Sequence, residues 1–198
     1  MTTLHTAFDA ALPDWLVDEL EWMPQELPTA ESRAALVNEL ADRNWRAGNG
    51  GPFAALVVDR LSGALVGVGV NVVLATGLSS LHAEVMALTL SQRGVGRWDL
   101  GTAIDGSRAD LELVVNWRPC VMCYGAAMWS GVRALAICGD GPECEELTGF
   151  DEGPVVADWA EQFAARGIEV SIGTGRDAAV EVFRAYRDGG ATVYNPSR

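Results

Sequence analysis

The chain has 198 residues, of which 49% are hydrophobic and 21% charged, a composition that indicates a globular protein and excludes a disordered one. Only 14 basic residues stand against 27 acidic ones, and the resulting net charge of −13 argues against a nucleic-acid-binding surface. The longest apolar runs, such as residues 64–75, are too short and too interrupted by glycine to cross a membrane. We therefore expect a small-molecule partner, with no nucleic acid and no membrane involved.

Residues 1–28 are predicted to form an N-terminal extension that packs on the body of the protein. Apolar residues fall between prolines in this segment, a pattern typical of a short amphipathic helix followed by an irregular crossing. Acidic residues stand near the N-terminus, where a signal peptide needs positive charge. Four cysteines fit a reducing compartment better than a disulfide framework. These observations favour a cytoplasmic location.

Residues 29–198 are predicted to form one α/β domain. Thr29 is the expected N-cap of a helix that begins at Ala30, and strands at 52–59 and 64–73 are expected to form a hairpin. The later elements are a helix from 82, a strand at 111–116, a helix at 120–129, a strand at 134–138, a helix at 155–166, a strand at 168–172 and a helix at 177–187. This alternation indicates an α/β fold that is mostly parallel after the first hairpin.

Two short motifs offer the ligands of a zinc ion. His82 stands two residues before Glu84, and Pro119 directly precedes Cys120, which is followed three residues later by Cys123. One imidazole and two thiolates provide three tetrahedral ligands and leave the fourth position for water, which is typical of a catalytic site. Glu84 is better suited to moving protons than to binding the metal. Taken alone, the two cysteines would also suit a redox pair or half of a structural zinc ribbon.

A His-x-Glu motif followed by Pro-Cys-x-x-Cys is the signature of zinc-dependent nucleobase deaminases, and the sequence resembles the cytidine-deaminase-like superfamily, most closely bacterial guanine deaminases. Besides the two motifs, the segments that carry the resemblance are Gly51-Pro52-Phe53, Gly69-Val70-Asn71 and Gly149-Phe150-Asp151-Glu152. The resemblance implies a three-layer α/β/α fold with a mixed five-stranded sheet, and a homodimer. It also implies zinc as cofactor and the hydrolytic release of ammonia from an aminated heterocycle.

The resemblance also implies roles for single residues. Glu84 is expected to shuttle protons, and Glu152 to act as a second acid that accepts hydrogen bonds from the amino group and ring N–H of an aminopurine. Asn71 is expected to contact the base, Phe53 to line its pocket, and Tyr194 to lie in a C-terminal tail over that pocket. The competing interpretations are an exposed acidic loop for Glu152, a turn-forming residue for Asn71 and simple core packing for Phe53.

The sequence departs from the guanine deaminases beside the metal motif. Trp117 and Arg118 stand where that family carries a small residue and a glutamate, and residues 94–110 form an insertion between the two halves. We expect Trp117 to contribute to substrate binding and so to reshape the pocket. The predicted substrate is guanine or a guanine-like aminopurine or nucleoside. An aminotriazine, cytosine or cytidine is the alternative substrate, and a non-catalytic zinc-binding module is the alternative of another class.

Overall fold

The computed structural model describes residues 4–196, which contain a mixed five-stranded sheet. Residues 1–3 of the predicted extension and residues 197–198 of the predicted tail lie outside the described residues. The strands are β1 (Ala54–Asp59), β2 (Leu65–Val70), β3 (Leu111–Val115), β4 (Ala134–Ile137) and β5 (Glu169–Ile172). Their order across the sheet is β2, β1, β3, β4, β5. Strand β1 is antiparallel to both β2 and β3, whereas β3, β4 and β5 run parallel.

Helices cover both faces of this sheet. They are α1 (Asp14–Val17), α2 (Ala30–Arg46), α3 (Val73–Thr76), α4 (Ala83–Val95), α5 (Val121–Trp129), α6 (Glu143–Thr148), α7 (Trp159–Ala164) and α8 (Arg176–Asp188). Helices α2 and α8 pack together on one face, and α4, α5 and α7 lie on the other. This arrangement confirms the predicted three-layer α/β/α fold. Within the described residues, the helices are all too short or too polar to cross a membrane.

Strand β1 explains why both faces must be covered. Its first five residues are buried, and alternate residues belong to two different hydrophobic cores. Ala54, Leu56 and Val58 belong to the core with α2 and α8, whereas Ala55 and Val57 belong to the core with α4. Because successive side chains point to opposite faces of a strand, an unbroken apolar run requires helices on both sides.

Helix α2 begins where the sequence predicts. The Thr29 hydroxyl accepts a hydrogen bond from the Ser32 backbone N–H at 3.1 Å, and the Thr29 N–H donates to the Ser32 hydroxyl at 3.3 Å, which forms a capping box. Val37 and Leu40 lie on the buried face of the helix. Asn44 lies one turn beyond Leu40 on the same face and is fully buried, so this polar residue occupies a core position.

Part of the N-terminal segment packs on the body. Leu16, Met23 and Leu27 are buried in the core that includes α2 and α8. The Leu27 N–H donates to the Gly63 carbonyl at 2.7 Å, in the turn between β1 and β2. The segment is therefore joined both to the core and to an edge of the sheet.

Four elements differ from the sequence prediction. The second strand ends at Val70, not at 73, because Val73 begins the short helix α3. The predicted helix at 155–166 is reduced to α7, because the residues before Trp159 form turns and irregular structure. Helices α3 and α6 have no predicted counterpart, since their 4 and 6 residues are too few to display a helical period.

Candidate active site

Two helix N-termini bring His82, Cys120 and Cys123 together. His82 is the N-cap of α4 and Cys120 the N-cap of α5, so both stand at the positive end of a helix dipole. The potential ligand atoms of the three residues lie within 4.8 Å of one another. Cys123 follows Cys120 by three residues and therefore shares a face of α5 with it. Both cysteines are buried.

The spacing of these atoms fits a tetrahedral zinc ion. Zinc binds imidazole nitrogen at about 2.0–2.1 Å and thiolate sulfur at about 2.3 Å, which places two such ligands about 3.5 Å apart. Cys120 Sγ lies 3.5 Å from His82 Nδ1, in agreement with that separation. Among the described residues, the group comprises these three residues and no fourth His, Cys, Asp or Glu. Three ligands leave one position open, as in catalytic zinc sites.

Hydrogen bonding within the group makes one thiol strongly acidic. The hydrogen bond from Cys123 is the largest cause that lowers the pKa of Cys120 to about 4, against the opposing effect of burial. The same hydrogen bond, together with burial, raises the pKa of Cys123. Burial lowers the pKa of His82, but its hydrogen bond with Cys120 and the charge of Glu84 outweigh this and leave the pKa raised. A thiolate is therefore available for a cation, and binding of that cation favours ionisation of the second thiol.

Glu84 lies in the first turn of α4, beside the ligands but outside the ligand group. It is buried, and burial is the main cause that raises the pKa of its carboxyl, followed by the negative charge of Cys120. A hydrogen bond from Cys123 acts in the opposite direction. A buried carboxyl group with a raised pKa holds a proton more readily than an exposed one, and its place beside the ligands suits a general base and acid.

His82 and Cys120 line a cleft with a volume of about 500 Å³, which lies within the usual range for small-molecule sites. The other walls come from the residue before β1, from the end of β2 and α3, from the loop at 150–154 and from the C-terminal residues 194–196. Two aromatic rings in these walls, Phe53 and Phe150, have centroids 5.6 Å apart. The cleft therefore combines apolar walls with a few polar groups, as expected for a flat heterocyclic ligand.

Asn71 directly follows β2 and offers an amide to the cleft. Its Oδ1 accepts hydrogen bonds from the Val73 N–H at 3.2 Å and from the Tyr194 hydroxyl at 2.7 Å. Its backbone carbonyl accepts from Nδ2 of Asn44 at 2.8 Å, and Asn44 also donates to the Gly51 carbonyl at 3.2 Å. Both side-chain hydrogen bonds of Asn71 end on Oδ1, which leaves Nδ2 for a ligand.

A second buried asparagine fixes the position of Phe53. Asn116 accepts from the Ala54 N–H at 3.1 Å and donates to the Pro52 carbonyl at 2.9 Å, so its amide bonds to the residues on both sides of Phe53. Sequence reasoning assigned no such role to Asn116 or to Asn44. The available signal for Asn44 is its place on the apolar face of α2, where a buried amide needs partners.

The two acidic residues of the 149–152 segment have different surroundings. Asp151 is exposed, and its carboxylate accepts from the Gly153 N–H at 2.9 Å, which shapes the loop. Glu152 is partly buried and lines the cleft. Burial is the main cause that raises the pKa of Glu152 to about 8, and the negative charges of Cys120 and Glu84 add to it. A cation bound beside Cys120 offsets these charges and favours the carboxylate form of Glu152.

Trp117 lies outside the cleft, which corrects the expectation that it contributes to substrate binding. Its indole is 1% exposed and packs edge-on against Phe183, with ring centroids 5.1 Å apart. A β-carbon at Gly139 would lie 2.2 Å from this indole, so the ring is enclosed on that side as well. The large apolar ring gains more from this core position than from a solvated cleft. Arg118 pairs with Asp140 at 2.6 Å and is likewise absent from the lining of the cleft.

The C-terminal tail closes one side of the cleft of its own chain. Tyr194 packs against Phe150, with ring centroids 4.8 Å apart, and it lines the cleft. Asn195 donates to the Gly149 carbonyl at 2.8 Å and accepts from the Asp151 N–H at 2.9 Å. These hydrogen bonds join the tail to the loop that carries Glu152. The predicted residues of the site, apart from Trp117, thus lie in or directly beside one cleft.

Relatives of known structure or activity share this architecture. The guanine deaminase of Nitrosomonas europaea is 40% identical, with a TM-score of 0.84, over 94% of this chain and 100% of that chain. A solved structure of a protein in complex with 2,6-diaminopurine is 41% identical, with a TM-score of 0.85, over 96% of this chain and 97% of that chain.

Comparisons of sequence agree with those of structure. The guanine deaminase of Bacillus subtilis is 32% identical over 113 residues, which are 57% of this chain and 65% of that protein. The match therefore spans slightly less than two thirds of the Bacillus protein. Residues 29–138 match the model of the cytidine and deoxycytidylate deaminase zinc-binding region. This match includes all three potential zinc ligands, and the chain belongs to the family of cytidine and deoxycytidylate deaminase zinc-binding proteins.

Proposed function

We propose that this protein is a zinc-dependent hydrolase that deaminates guanine or a guanine-like aminopurine and releases ammonia. The observation that carries the proposal is the grouping of His82, Cys120 and Cys123 within 4.8 Å at a cleft, with a buried carboxyl at Glu84 beside them. A structural zinc site gives no reason for an unliganded buried glutamate. The similarity to the guanine deaminase of Nitrosomonas europaea supports the choice of guanine.

In this proposal His82, Cys120 and Cys123 hold the zinc ion. When bound, zinc supplies Lewis acidity that makes water nucleophilic at neutral pH. Glu84 accepts a proton from the water that attacks the carbon bearing the exocyclic amine, and it delivers that proton to the neighbouring ring nitrogen. It then takes the proton of the hydroxyl group added at that carbon and passes it to the leaving amino group, which departs as ammonia while the carbonyl forms. These transfers require Glu84 to stay outside the ligand set, as its burial beside that set allows.

Substrate recognition is assigned to the polar groups of the cleft. Glu152 as a carboxylate accepts two hydrogen bonds, one from the amino group and one from the adjacent ring N–H of a guanine-type edge. Asn71 donates from Nδ2 to an acceptor elsewhere on the heterocycle, while Phe53 and Phe150 contact its faces. Cytosine has a ring acceptor beside its amine, so it cannot offer the paired donors that Glu152 suits.

The experiment that tests this function is ammonia release by the zinc-loaded protein. The initial rate of ammonia release is measured for each compound of a panel that consists of guanine, guanosine, cytosine, cytidine, adenine and an aminotriazine. We expect guanine or a close aminopurine to have the highest kcat/KM. Highest activity on cytidine or on an aminotriazine would favour the alternative substrates, and the absence of ammonia release from all of them would favour a non-catalytic zinc-binding module.

The assembly is proposed to be a homodimer in which α5 contributes to the interface. Helix α5 is apolar almost throughout, yet Trp129 is 85% exposed at its C-terminal end, whereas the exposed Val121 at its start lines the cleft. An apolar helix face of this kind is normally covered by a partner. Sedimentation at micromolar concentration tests the proposal: we expect a dimer for the wild type and a monomer for Trp129→Arg. A monomeric wild type would contradict it.

Two further assignments belong to the same proposal. Residues 29–198 are assigned to the deaminase domain and residues 1–28 to an extension that packs on it, in keeping with the family match from residue 29 and the burial of Leu16 and Leu27. A cytoplasmic location is assigned because the four cysteines are unpaired and two of them are needed as thiols for zinc, which a reducing compartment preserves. Fractionation of cells that express the intact protein tests the location.

A further inference from the structure

A chain of three hydrogen bonds runs from the backbone to the cleft through the C-terminal tail. The Gly51 N–H donates to the Tyr194 hydroxyl oxygen at 2.8 Å. The Tyr194 hydroxyl donates to Asn71 Oδ1 at 2.7 Å. The Val73 N–H donates to the same Oδ1 at 3.2 Å. The first two links join parts of the protein that are distant in sequence, 143 and 123 positions apart, whereas Val73 and Asn71 are neighbours two positions apart.

The donor and acceptor roles in this series of hydrogen bonds are fixed by the backbone N–H groups at its two ends. A backbone N–H can only donate, so the hydroxyl oxygen of Tyr194 accepts from Gly51 and its proton is left for Asn71. Val73 supplies a second backbone donor to the same amide atom. If the Asn71 amide were turned by 180°, its NH₂ group would face the Val73 N–H, and two donors would oppose each other. Oδ1 must therefore point into the protein, and Nδ2 is the group available to a ligand.

The surroundings leave the Asn71 amide little room for another orientation. A β-carbon at Gly50 would lie 2.2 Å from Asn71 Oδ1, and one at Gly51 would lie 2.8 Å from the Tyr194 hydroxyl. The glycines thus allow the loop to approach both side chains closely. On the opposite side, Asn44 binds the carbonyls of Gly51 and Asn71 and fixes their backbone positions.

We propose that Tyr194 is a positioning residue that, together with the Val73 N–H, holds Asn71 Oδ1 inward, so that Nδ2 faces the cleft and selects ligands with an acceptor at that point. The only hydroxyl proton of Tyr194 goes to Asn71 and one lone pair of its oxygen accepts from the Gly51 N–H, so Tyr194 has no proton to donate to a ligand and acts through Asn71. Docking of the tail thereby contributes to specificity. The inference deepens the proposed function, on which it rests for the choice of ligand.

A double-mutant cycle tests the proposal. The cycle consists of Tyr194→Phe, Asn71→Ala and their combination, all in zinc-loaded protein that carries Glu84→Gln to prevent turnover. The measurement is the Kd for 8-azaguanine, the ligand in a solved structure of a relative that is 40% identical. Tyr194→Phe is expected to weaken binding about tenfold when Asn71 is present, because the amide loses the partner that orients it. In the Asn71→Ala background the same change is expected to weaken binding less than about twofold.

A matched control separates orientation of Asn71 from docking of the tail. Tyr186 donates its hydroxyl to the Thr192 carbonyl in the same tail, but it has no hydrogen bond to Asn71. Tyr186→Phe is therefore expected to change the Kd by less than about twofold in both backgrounds. Equal weakening by Tyr194→Phe with and without Asn71, or equal weakening by Tyr186→Phe and Tyr194→Phe, would overturn the proposal.

Hydrogen exchange provides a readout that needs no ligand. In the zinc-loaded protein, Tyr194→Phe is expected to accelerate exchange of the Gly51 amide about tenfold, because this N–H loses its acceptor. Unchanged exchange at Gly51 would overturn the proposal by removing the first link of the chain. If 8-azaguanine fails to bind the parent protein, the proposed function fails. Exchange at Gly51 still decides whether the hydrogen bonds from Gly51 through Tyr194 to Asn71 exist.

Discussion

Replacing Glu152 by glutamine is expected to abolish most activity on guanine while zinc stays bound. The side chain keeps its size, but one of the two oxygens that would accept hydrogen bonds from the guanine edge becomes an NH₂ donor. Loss of a hydrogen bond to a charged group costs about 1.5–3 kcal/mol, so kcat/KM is expected to fall about 10- to 150-fold. The loss is larger if Glu152 also moves protons. The assay is the initial rate of ammonia release, with zinc content measured on the same protein.

Asp151 provides the matched control for this substitution. Both residues line the cleft, but Asp151 is exposed and its carboxylate accepts from the Gly153 N–H, whereas Glu152 is partly buried. Asp151→Asn retains an oxygen for that hydrogen bond, and kcat/KM is expected to change less than about threefold. Equal losses in the two variants would refute the assignment of Glu152 as the second acid, as would a Glu152→Gln protein with unchanged activity on guanine.

Three further predictions follow from the zinc group and from one loop. Cys120→Ala is expected to lose both zinc and activity, as measured by metal analysis and ammonia release, whereas Cys138→Ala should retain zinc because this buried thiol lies outside the ligand group. Glu84→Gln is expected to keep one zinc per chain and to lower kcat by about 100- to 10,000-fold, and unchanged turnover in a zinc-loaded variant would eliminate the proton-transfer role. The Thr102 hydroxyl lowers the pKa of Asp99, so the stabilisation from this carboxylate is present above the unfolded-state pKa and is lost as the pH falls through the folded-state pKa. In denaturant titrations of the metal-free protein, the difference in unfolding free energy between wild type and Asp99→Asn should be smaller below pH 4 than at pH 7, and an equal difference would contradict this cause.

The fold and the zinc group are predictable from the sequence because their signals are local. Apolar runs and caps indicate the strands and α2, and two short motifs at predicted helix starts indicate His82, Cys120 and Cys123. The position of Trp117 has no such local signal, because its ring is held in the core by residues distant in sequence, among them Phe183 and Gly139. The chain from Gly51 through Tyr194 to Asn71 is equally invisible in the sequence, since its links join segments that only the folded structure brings together.

The comparison of guanine with cytidine as substrates of the zinc-loaded wild-type protein tests the central claim most directly. Equal concentrations of the two compounds are supplied, and ammonia is measured against time with the metal-free protein as the blank. The arrangement of Glu84 beside His82, Cys120 and Cys123, together with Glu152 in the cleft, predicts zinc-dependent ammonia release from guanine at a kcat/KM well above that for cytidine. Equal activity without zinc, or a preference for cytidine, would contradict the account.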